Sequence, residues 1–436
     1  MSIHDTRTRP IGENRAMTAS SNTSDLGSAR VLEEVAQRAR ASGRIALDTE
    51  FMGEGRYRTL LCLIQLAVAD IPNGTPDLVR PEGQTQGAHG EQPGGAGSER
   101  IEIVDPLEGP LGGEPLADVL ADPQIEVVVH AGRQDIALLR RALGCDARNV
   151  FDTQVAAGFL GMPAQCSYDT LLVEMLGVRL AKSASFTRWD ARPLSAEQLS
   201  YAREDVVHLT ALAAELERRL EQVGRLQWAR EECEFLERVS DERDIDAIFA
   251  RLPRVRGMSA ASQGVARELV AWRERTAAER DRPVQSVLGD APLVEIAKRK
   301  PSSLGKLEEI RGVGQGSLRK RGEELLSAVQ DGLRNAGEPL AGDPRPPQPR
   351  PDDAPLIALS EALVRARARE AGLAYELLAS RADLQAIVAG ERTGERADAR
   401  TLRGWRGELV GNELLDLLAG RLSLSVGDRC VRVAPG

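Results

Sequence analysis

The hydrophobic pattern of this chain changes its period near Arg225. Before that point β-rich runs alternate with helical patterns, and after it the apolar residues recur only at helical spacing. The four β-rich runs are RIALDTEF, LCLIQLAVA, RIEIVDPL and IEVVVHAG. Such alternation followed by helices predicts an α/β domain, with a mixed sheet covered by helices, and an all-α remainder.

At 436 residues, the chain is long enough for two to four domains. Stretches rich in Gly and Pro, or polar and without period, predict where these domains are separated. We expect a disordered leader over 1–27, an α/β domain over 28–222 with a disordered insertion over 72–100, a helical connector over 223–257, a helical module over 258–335, a Pro-rich linker over 336–353 and a second helical module over 354–436.

Composition excludes several classes of protein. No apolar run approaches the roughly 20 residues of a membrane helix. The five cysteines form no CxxC pair, which argues against a zinc site or a disulfide framework. The formal charge of −9 argues against a uniformly basic surface, although residues 259–335 carry a net +3 by count. We expect a monomeric, cytoplasmic protein that makes no membrane contact.

Acidic residues recur at three points of the predicted α/β domain. Asp48 and Glu50 lie two apart in the first β-rich run, so their side chains share one face, where they must face water or hold cations. Asp135 follows the HAG turn after the fourth run. Tyr201 and Asp205 are four apart in a helical pattern over 199–220 and therefore share a helix face.

Taken together, these segments resemble the DEDDy 3′–5′ exonucleases and, within them, the ribonuclease D family. The resemblance covers about residues 44–210 and rests on LDTEF, LCLIQLA, VDPL, HAGRQD, FDTQVAA, KSASFTRWDARPLS and YAREDV in the family's order. Residues 258–335 resemble an HRDC domain, a helical nucleic-acid-binding module, and 354–436 a second, degenerate one. The resemblance implies a ribonuclease H-like mixed-sheet domain that removes nucleoside 5′-monophosphates from RNA 3′ ends, as in maturation of tRNA precursors.

The resemblance also implies a site with two divalent cations, Mg²⁺ or Mn²⁺. Hard cations prefer oxygen ligands, which suits a set made only of carboxylates. Its ligands would be Asp48, Glu50, Asp135 and Asp205. Tyr201 would orient the attacking water, since a phenol with an ordinary pKa near 10 is a poor base.

Further residues are candidates for RNA contact. In the α/β domain they are Phe51, Lys182, Arg188 and Arg192, and in the first helical module Lys298, Arg299, Lys300, Arg319, Lys320 and Arg321. Phe51 and Trp189 could equally pack in the core. The family often has a basic residue in place of Phe186 and an acid in place of Arg188, which leaves substrate preference open.

Two further polar residues in the segments that carry the acids could be either structural residues or metal ligands. For His130 we favour a structural imidazole over a metal ligand. For Asp152 we favour a helix N-cap over a metal ligand, because TQVAA begins a helical pattern.

Two other functions remain open at this point. A DNA 3′–5′ exonuclease of the proofreading or Werner type would use the same acids. A non-catalytic RNA-binding adaptor is the alternative from a different class, although no acid of the set is missing from the sequence.

Overall fold

The structure is a computed structural model that describes residues 29–69, 99–180, 188–313, 315–337 and 350–436. The predicted leader, nearly all of the insertion and most of the Pro-rich linker lie outside these ranges. None of the helices within them is both long and apolar enough to cross a bilayer.

A five-stranded mixed sheet forms the centre of the first domain. Its strands are β1 Arg44–Met52, β2 Leu60–Ala69, β3 Glu99–Val104, β4 Glu126–Val129 and β5 Val150–Asp152. Their order across the sheet is β3-β2-β1-β4-β5. β2 is antiparallel to β1 and β3, whereas β4 is parallel to β1 and β5. The mixed sheet predicted from the sequence is confirmed, with β5 as a strand that its pattern did not predict.

Helices cover both faces of this sheet. They are α1 Ala29–Ser42, α2 Glu114–Ala121, α3 Arg133–Leu143, α4 Thr153–Gly158, α5 Tyr168–Leu176, α6 Ala196–Glu204 and α7 Leu209–Gln222. Ile45 and Leu47 of β1 pack with α1, α2 and α3, whereas Ala46 faces the core that contains α4, α5 and α7. β1 is therefore buried on both faces, with neighbouring side chains pointing into different cores.

The helix predicted over 199–220 is interrupted. α6 ends at Glu204 and α7 begins at Leu209, with a turn between them. Tyr201 packs in a small cluster with Trp189, while Leu209 lies in the large core beneath the sheet. Two separate helices satisfy both packing sites, and β-branched Val206 and Val207 weaken the helix between them.

A connector and a helical module follow. Their helices are α8 Leu226–Cys233, α9 Ile245–Ala250, α10 Ala260–Glu279, α11 Val284–Val287, α12 Asp290–Arg299, α13 Leu304–Glu308 and α14 Gln315–Arg334. Ser259 is the N-cap of α10, and its side chain accepts a hydrogen bond from the Ser262 amide. α10 through α14 surround a core of their own, to which Tyr57 of the first domain also packs.

The last unit is helical except for its end. Its elements are α15 Asp353–Ala371, α16 Tyr375–Leu378, α17 Arg381–Thr393, α18 Gly404–Arg406, a π-helical turn Gly407–Gly411, α19 Asn412–Leu418, β6 Leu422–Gly427 and β7 Cys430–Pro435. β6 and β7 form an antiparallel hairpin. The expectation of helices alone after Arg225 is wrong here, because LSLSV and CVRVA alternate with the two-residue period of strands.

This last unit shares a core with the first domain. Trp405 stacks on Trp228 with ring centroids 4.9 Å apart and meets Phe159 edge-on at 5.4 Å. Arg225 donates hydrogen bonds to the carbonyls of Phe159 and Gly372. The C-terminal unit is therefore packed onto the first domain as part of one large core.

Candidate active site

Asp48 and Glu50 lie near the carboxyl end of β1. Asp48 is half-buried and pairs across the sheet with Gln65 of β2. The register shifts between Glu50 and Phe51, which is the mark of a β-bulge that re-aims the strand as it leaves the sheet. Phe51, beyond the bulge, is 37% exposed. The strand thus delivers two carboxylates and an exposed aromatic ring to one end of the sheet.

Asp135 reaches the same end from α3. It lies in the first turn of that helix, which follows β4, and β4 is parallel to β1. The carboxyl ends of parallel neighbours meet at one edge of a sheet. The hydroxyl of Thr49 donates a hydrogen bond to Oδ1 of the buried Asp135. Thr49, which stands between the two acids of β1, therefore links that strand to the third acid.

Asp152 holds the turn that precedes Asp135. Its carboxylate accepts hydrogen bonds from the amides of Ala131 and Gly132, at 3.1 and 2.9 Å, and also from Gln154 and Val155 at the start of α4. The predicted N-cap role is confirmed. The bonds to the HAG turn were not apparent from the sequence, because they join segments about 20 residues apart.

His130 is built into the same region. Its Nδ1 lies 3.0 Å from Oγ1 of Thr153, and its ring lies 5.5 Å from that of Tyr168. Burial lowers the pKa of His130. These contacts favour the structural role, with a neutral imidazole at neutral pH.

Tyr201 and Asp205 approach from the other side of the site. Asp205 caps the C-terminus of α6, and its amide donates to the Tyr201 carbonyl at 3.2 Å, so one helical turn still joins the two residues. The ring of Tyr201 lies 6.0 Å from that of buried Trp189. Packing against Trp189 fixes this wall of the site.

All four carboxylates have raised pKa values, and in Asp48 and Glu50 the other members of the set contribute. Burial raises the pKa of Asp48 well above its usual range, and Asp135, Asp205 and Glu50 raise it further. Burial, then Asp205 and Asp135, raises the pKa of Glu50 to about 8. Burial and then Glu204 raise the pKa of Asp205 to about 7. Such interactions require the charges to be close together in a poorly hydrated place.

Tyr201 is affected by the same charges. Burial, followed by Asp205, Glu50 and Asp48, raises its pKa to about 12. At neutral pH the phenol therefore keeps its proton and can donate a hydrogen bond.

The four acids are near one another, but their side chains do not yet converge as the ligands of one metal ion do. Within the described ranges, no group of three or more His, Cys, Asp or Glu side chains already has the arrangement of a metal site. In kind, the donors fit a hard divalent cation, since all are carboxylate oxygens. A cation held among them would also relieve the repulsion that raises the pKa values of Asp48 and Glu50.

Gln65 is a polar residue of this region that the sequence did not single out. It is fully buried, and neither its amide nitrogen nor its amide oxygen has a hydrogen-bond partner. Directly paired residues on antiparallel strands share a face, so Gln65 lies beside Asp48. A buried amide without a partner is costly, and such groups commonly meet a ligand, an ion or a water.

Arg192, a candidate for RNA contact, is used within the fold. Its guanidinium binds both oxygens of Asp105, which is fully buried, at 2.5 and 2.7 Å. It also donates to the carbonyls of Cys62 and Trp189. These contacts favour a structural role, and we remove Arg192 from the RNA contacts. Arg188 remains at the surface with Asp190 at 2.9 Å, whereas Lys182 and Phe186 lie outside the described residues.

The basic residues of the helical module that are candidates for RNA contact also differ in exposure and in their partners. Arg321 is only 9% exposed, and burial lowers its pKa, so it too is better assigned to the interior. Lys300 donates to Ser262 and to the Lys298 carbonyl, and Arg299 pairs with Glu295. Lys298 is exposed. The side chains of Arg319 and Lys320 lie outside the described part of the chain.

Two family matches cover parts of the chain. Residues 93–221 match the 3′–5′ exonuclease family, a range that includes Asp135, Tyr201 and Asp205 but not β1. Residues 262–329 match the HRDC domain, inside the helical module predicted over 258–335.

Two relatives are similar to this chain over about nine tenths of its length. Ribonuclease D of Granulibacter bethesdensis is 33% identical, over 89% of this chain and 91% of the relative. Ribonuclease D of Gluconacetobacter diazotrophicus is 34% identical, over 92% of this chain and 94% of the relative.

A solved structure agrees in fold. RNase D of Escherichia coli, an exoribonuclease involved in structured RNA processing, superposes with a TM-score of 0.69 at 27% identity, over 90% of this chain and 98% of the other. Since sequence and fold agree along nearly the whole chain, this chain belongs to the ribonuclease D family and is a 3′–5′ exoribonuclease, a hydrolase of phosphodiester bonds.

Proposed function

We propose that Asp48, Glu50, Asp135 and Asp205 hold two divalent cations at the end of β1, and that RNA 3′ ends are trimmed there. The observation that carries the proposal is that β1, the first turn of α3 and the C-terminus of α6 bring the four carboxylates to one end of the sheet, where the other three each raise the pKa of Asp48. Membership in the 3′–5′ exonuclease family implies divalent metal use. When bound, such ions activate water and neutralise charge on the phosphoryl and leaving oxygens.

The protein's own residues would position the reactants. Tyr201, protonated at neutral pH, donates a hydrogen bond that orients the attacking water. Thr49 keeps Asp135 turned toward β1. Phe51, exposed beyond the bulge, offers a ring on which the terminal base can stack. The water oxygen attacks the last phosphorus, the 3′ oxygen leaves with a proton, and a nucleoside 5′-monophosphate is released.

As the physiological substrate class we propose structured RNAs with single-stranded 3′ tails, such as tRNA precursors. The Escherichia coli relative acts in structured RNA processing, and this chain matches the HRDC domain that accompanies the exonuclease region. We further propose that the protein works as a monomer in the cytoplasm. All five cysteines are free thiols, which suits a reducing compartment.

A digestion assay tests the proposal. A tRNA precursor with a 3′ tail and a 5′ label is incubated with the protein in Mg²⁺, in Mn²⁺ and in chelator, beside a DNA strand of the same tail sequence. We expect shortening from the 3′ end with release of 5′-monophosphates, only with metal and faster on RNA. The Asp48→Asn protein is expected to bind RNA without digesting it. Faster loss of the DNA, or turnover in chelator, would overturn the proposal.

A further inference from the structure

A cleft of about 590 Å³ lies between the first domain and the helical module. Tyr57 and Arg58, in the loop that joins β1 to β2, line one side, and Glu274, Arg275 and Asp281 line the other. This loop is the direct continuation of the strand that carries Asp48 and Glu50. The cleft therefore adjoins the proposed active site along the chain.

The wall of the cleft is held in place by bonds across the two domains. Tyr57 donates from its hydroxyl to Glu274 at 3.0 Å and from its amide to Asp281 at 3.1 Å. Arg56 pairs with Asp281 at 2.6 Å. Because Glu274 is only 3% exposed, the Tyr57 hydroxyl is anchored in the interior of the helical module. A loop tied in this way offers a preorganised surface for a ligand.

The charges of the cleft are unbalanced. Its carboxylates pair with arginines that do not line the cleft, Glu274 with Arg243 and Asp281 with Arg56. Arg58 and Arg275 form no ion pair with any residue in the described ranges. The guanidinium of Arg58 lies 5.8 Å from the centroid of the Tyr57 ring, within cation–π range. On a chain of net charge −9, two unpaired guanidinium groups beside one cleft favour an anion.

We propose that this cleft is a subsite for the backbone of single-stranded RNA upstream of the 3′ end, with Arg58 and Arg275 each contacting a phosphate. The inference rests on the proposed function and extends it to a second place of contact. Met52 pairs with Leu60 across β1 and β2. Glu50 and Arg58 each lie two residues from this pair, so they are at most roughly 20 Å apart. At about 3.4 Å per stacked nucleotide, at most roughly six nucleotides span that distance. A 12-nucleotide strand with its 3′ end in the active site is therefore long enough to reach the cleft.

The salt dependence of RNA binding distinguishes an RNA subsite from an interdomain contact that only stabilises the fold. Fluorescence anisotropy would measure the Kd of labelled 12-nucleotide and 3-nucleotide RNAs between 50 and 300 mM NaCl, without metal, in the Asp48→Asn background to prevent digestion. Arg58→Gln and Arg275→Gln would be compared with Arg40→Gln as a matched control. Arg40 is exposed at the end of α1, just before β1 begins, and pairs only loosely with Asp118 at 3.8 Å.

Each cleft variant is expected to weaken binding of the 12-nucleotide RNA about 3- to 10-fold and to reduce the slope of log K against log salt by about 0.7, the value of one phosphate contact on a single strand. Binding of the 3-nucleotide RNA, which has fewer phosphates to place in the cleft, should be weakened less. All results for Arg40→Gln should not change. Unchanged slopes for both cleft variants, with unchanged melting temperatures, would overturn the subsite. The binding assay needs no turnover, so it can reject the subsite while the catalytic function stands. The catalytic function is tested separately, by digestion with the unmodified protein.

Discussion

Thr49 donates its hydroxyl hydrogen bond to Asp135, a residue 86 positions further along the chain. The bond joins the strand that carries Asp48 and Glu50 to the helix that carries the third acid. It also lowers the pKa of Asp135, which burial raises. The Thr49 hydroxyl therefore contributes both to the position and to the charge of Asp135.

Replacing Thr49 by Val keeps the shape of the side chain and removes this donor. We expect Mn²⁺ affinity to fall about 10-fold or more, as for other groups that orient metal ligands. Thr49→Ser, which keeps a hydroxyl, should retain most of the affinity. Calorimetric titration with Mn²⁺ measures both, and equal affinities of the Val and Ser variants would show that the bond has no role in metal binding.

Gln65 offers a prediction in which stability and function move in opposite directions. Gln65→Leu removes a buried amide that has no partner, so we expect the free energy of unfolding to rise by about 1 kcal/mol or more. Mn²⁺ affinity should fall, because the amide lies beside Asp48. Urea unfolding and metal titration measure the two effects. In the matched control Gln154→Leu, the lost amide donates to the Cys166 carbonyl at 3.0 Å, so stability should decrease. A Gln65→Leu protein with unchanged metal binding would refute the functional half.

Mutation of Asp152 tests whether this residue positions the HAG turn and α4 or binds a metal ion. Asp152→Ala removes bonds to four amides and should lower the free energy of unfolding by about 2 to 4 kcal/mol. Ser167→Ala, which removes a single N-cap bond from α5, should cost only about 1 kcal/mol. Loss of a Mn²⁺ ion without loss of stability in Asp152→Ala would instead identify a metal ligand.

His130 gives a pH dependence of stability. Burial lowers its pKa in the folded protein, against the raising effect of Asp152. The unfolded chain therefore binds the proton more readily, and the His130 contribution to stability is lost as the pH falls through the unfolded value near 6.5. The difference in unfolding free energy between the unmodified protein and His130→Gln should shrink between pH 8 and pH 5. A difference that stays constant or grows would mean that the folded imidazole accepts the proton freely.

The sequence predicted best what depends on local patterns. The four β-rich runs form β1 to β4 because their apolar residues are contiguous, and Asp152 is predictable as a cap because a helical pattern follows it. The break between α6 and α7 has no local signal, because it arises from packing Tyr201 and Leu209 in different cores. The sequence makes Arg192 a candidate for RNA contact because its partner Asp105 lies 87 residues away, and no local pattern reveals such a pairing.

Metal stoichiometry tests most directly whether Asp48, Glu50, Asp135 and Asp205 form one binuclear centre. Binding of Mn²⁺ would be followed by electron paramagnetic resonance at pH 8 for the unmodified protein, for Asp48→Asn and for the surface control Asp118→Asn. We expect close to two ions per chain for the unmodified protein and the control, and a loss of at least one ion in Asp48→Asn. Equal binding by all three proteins would show that Asp48 is not a ligand of a binuclear centre.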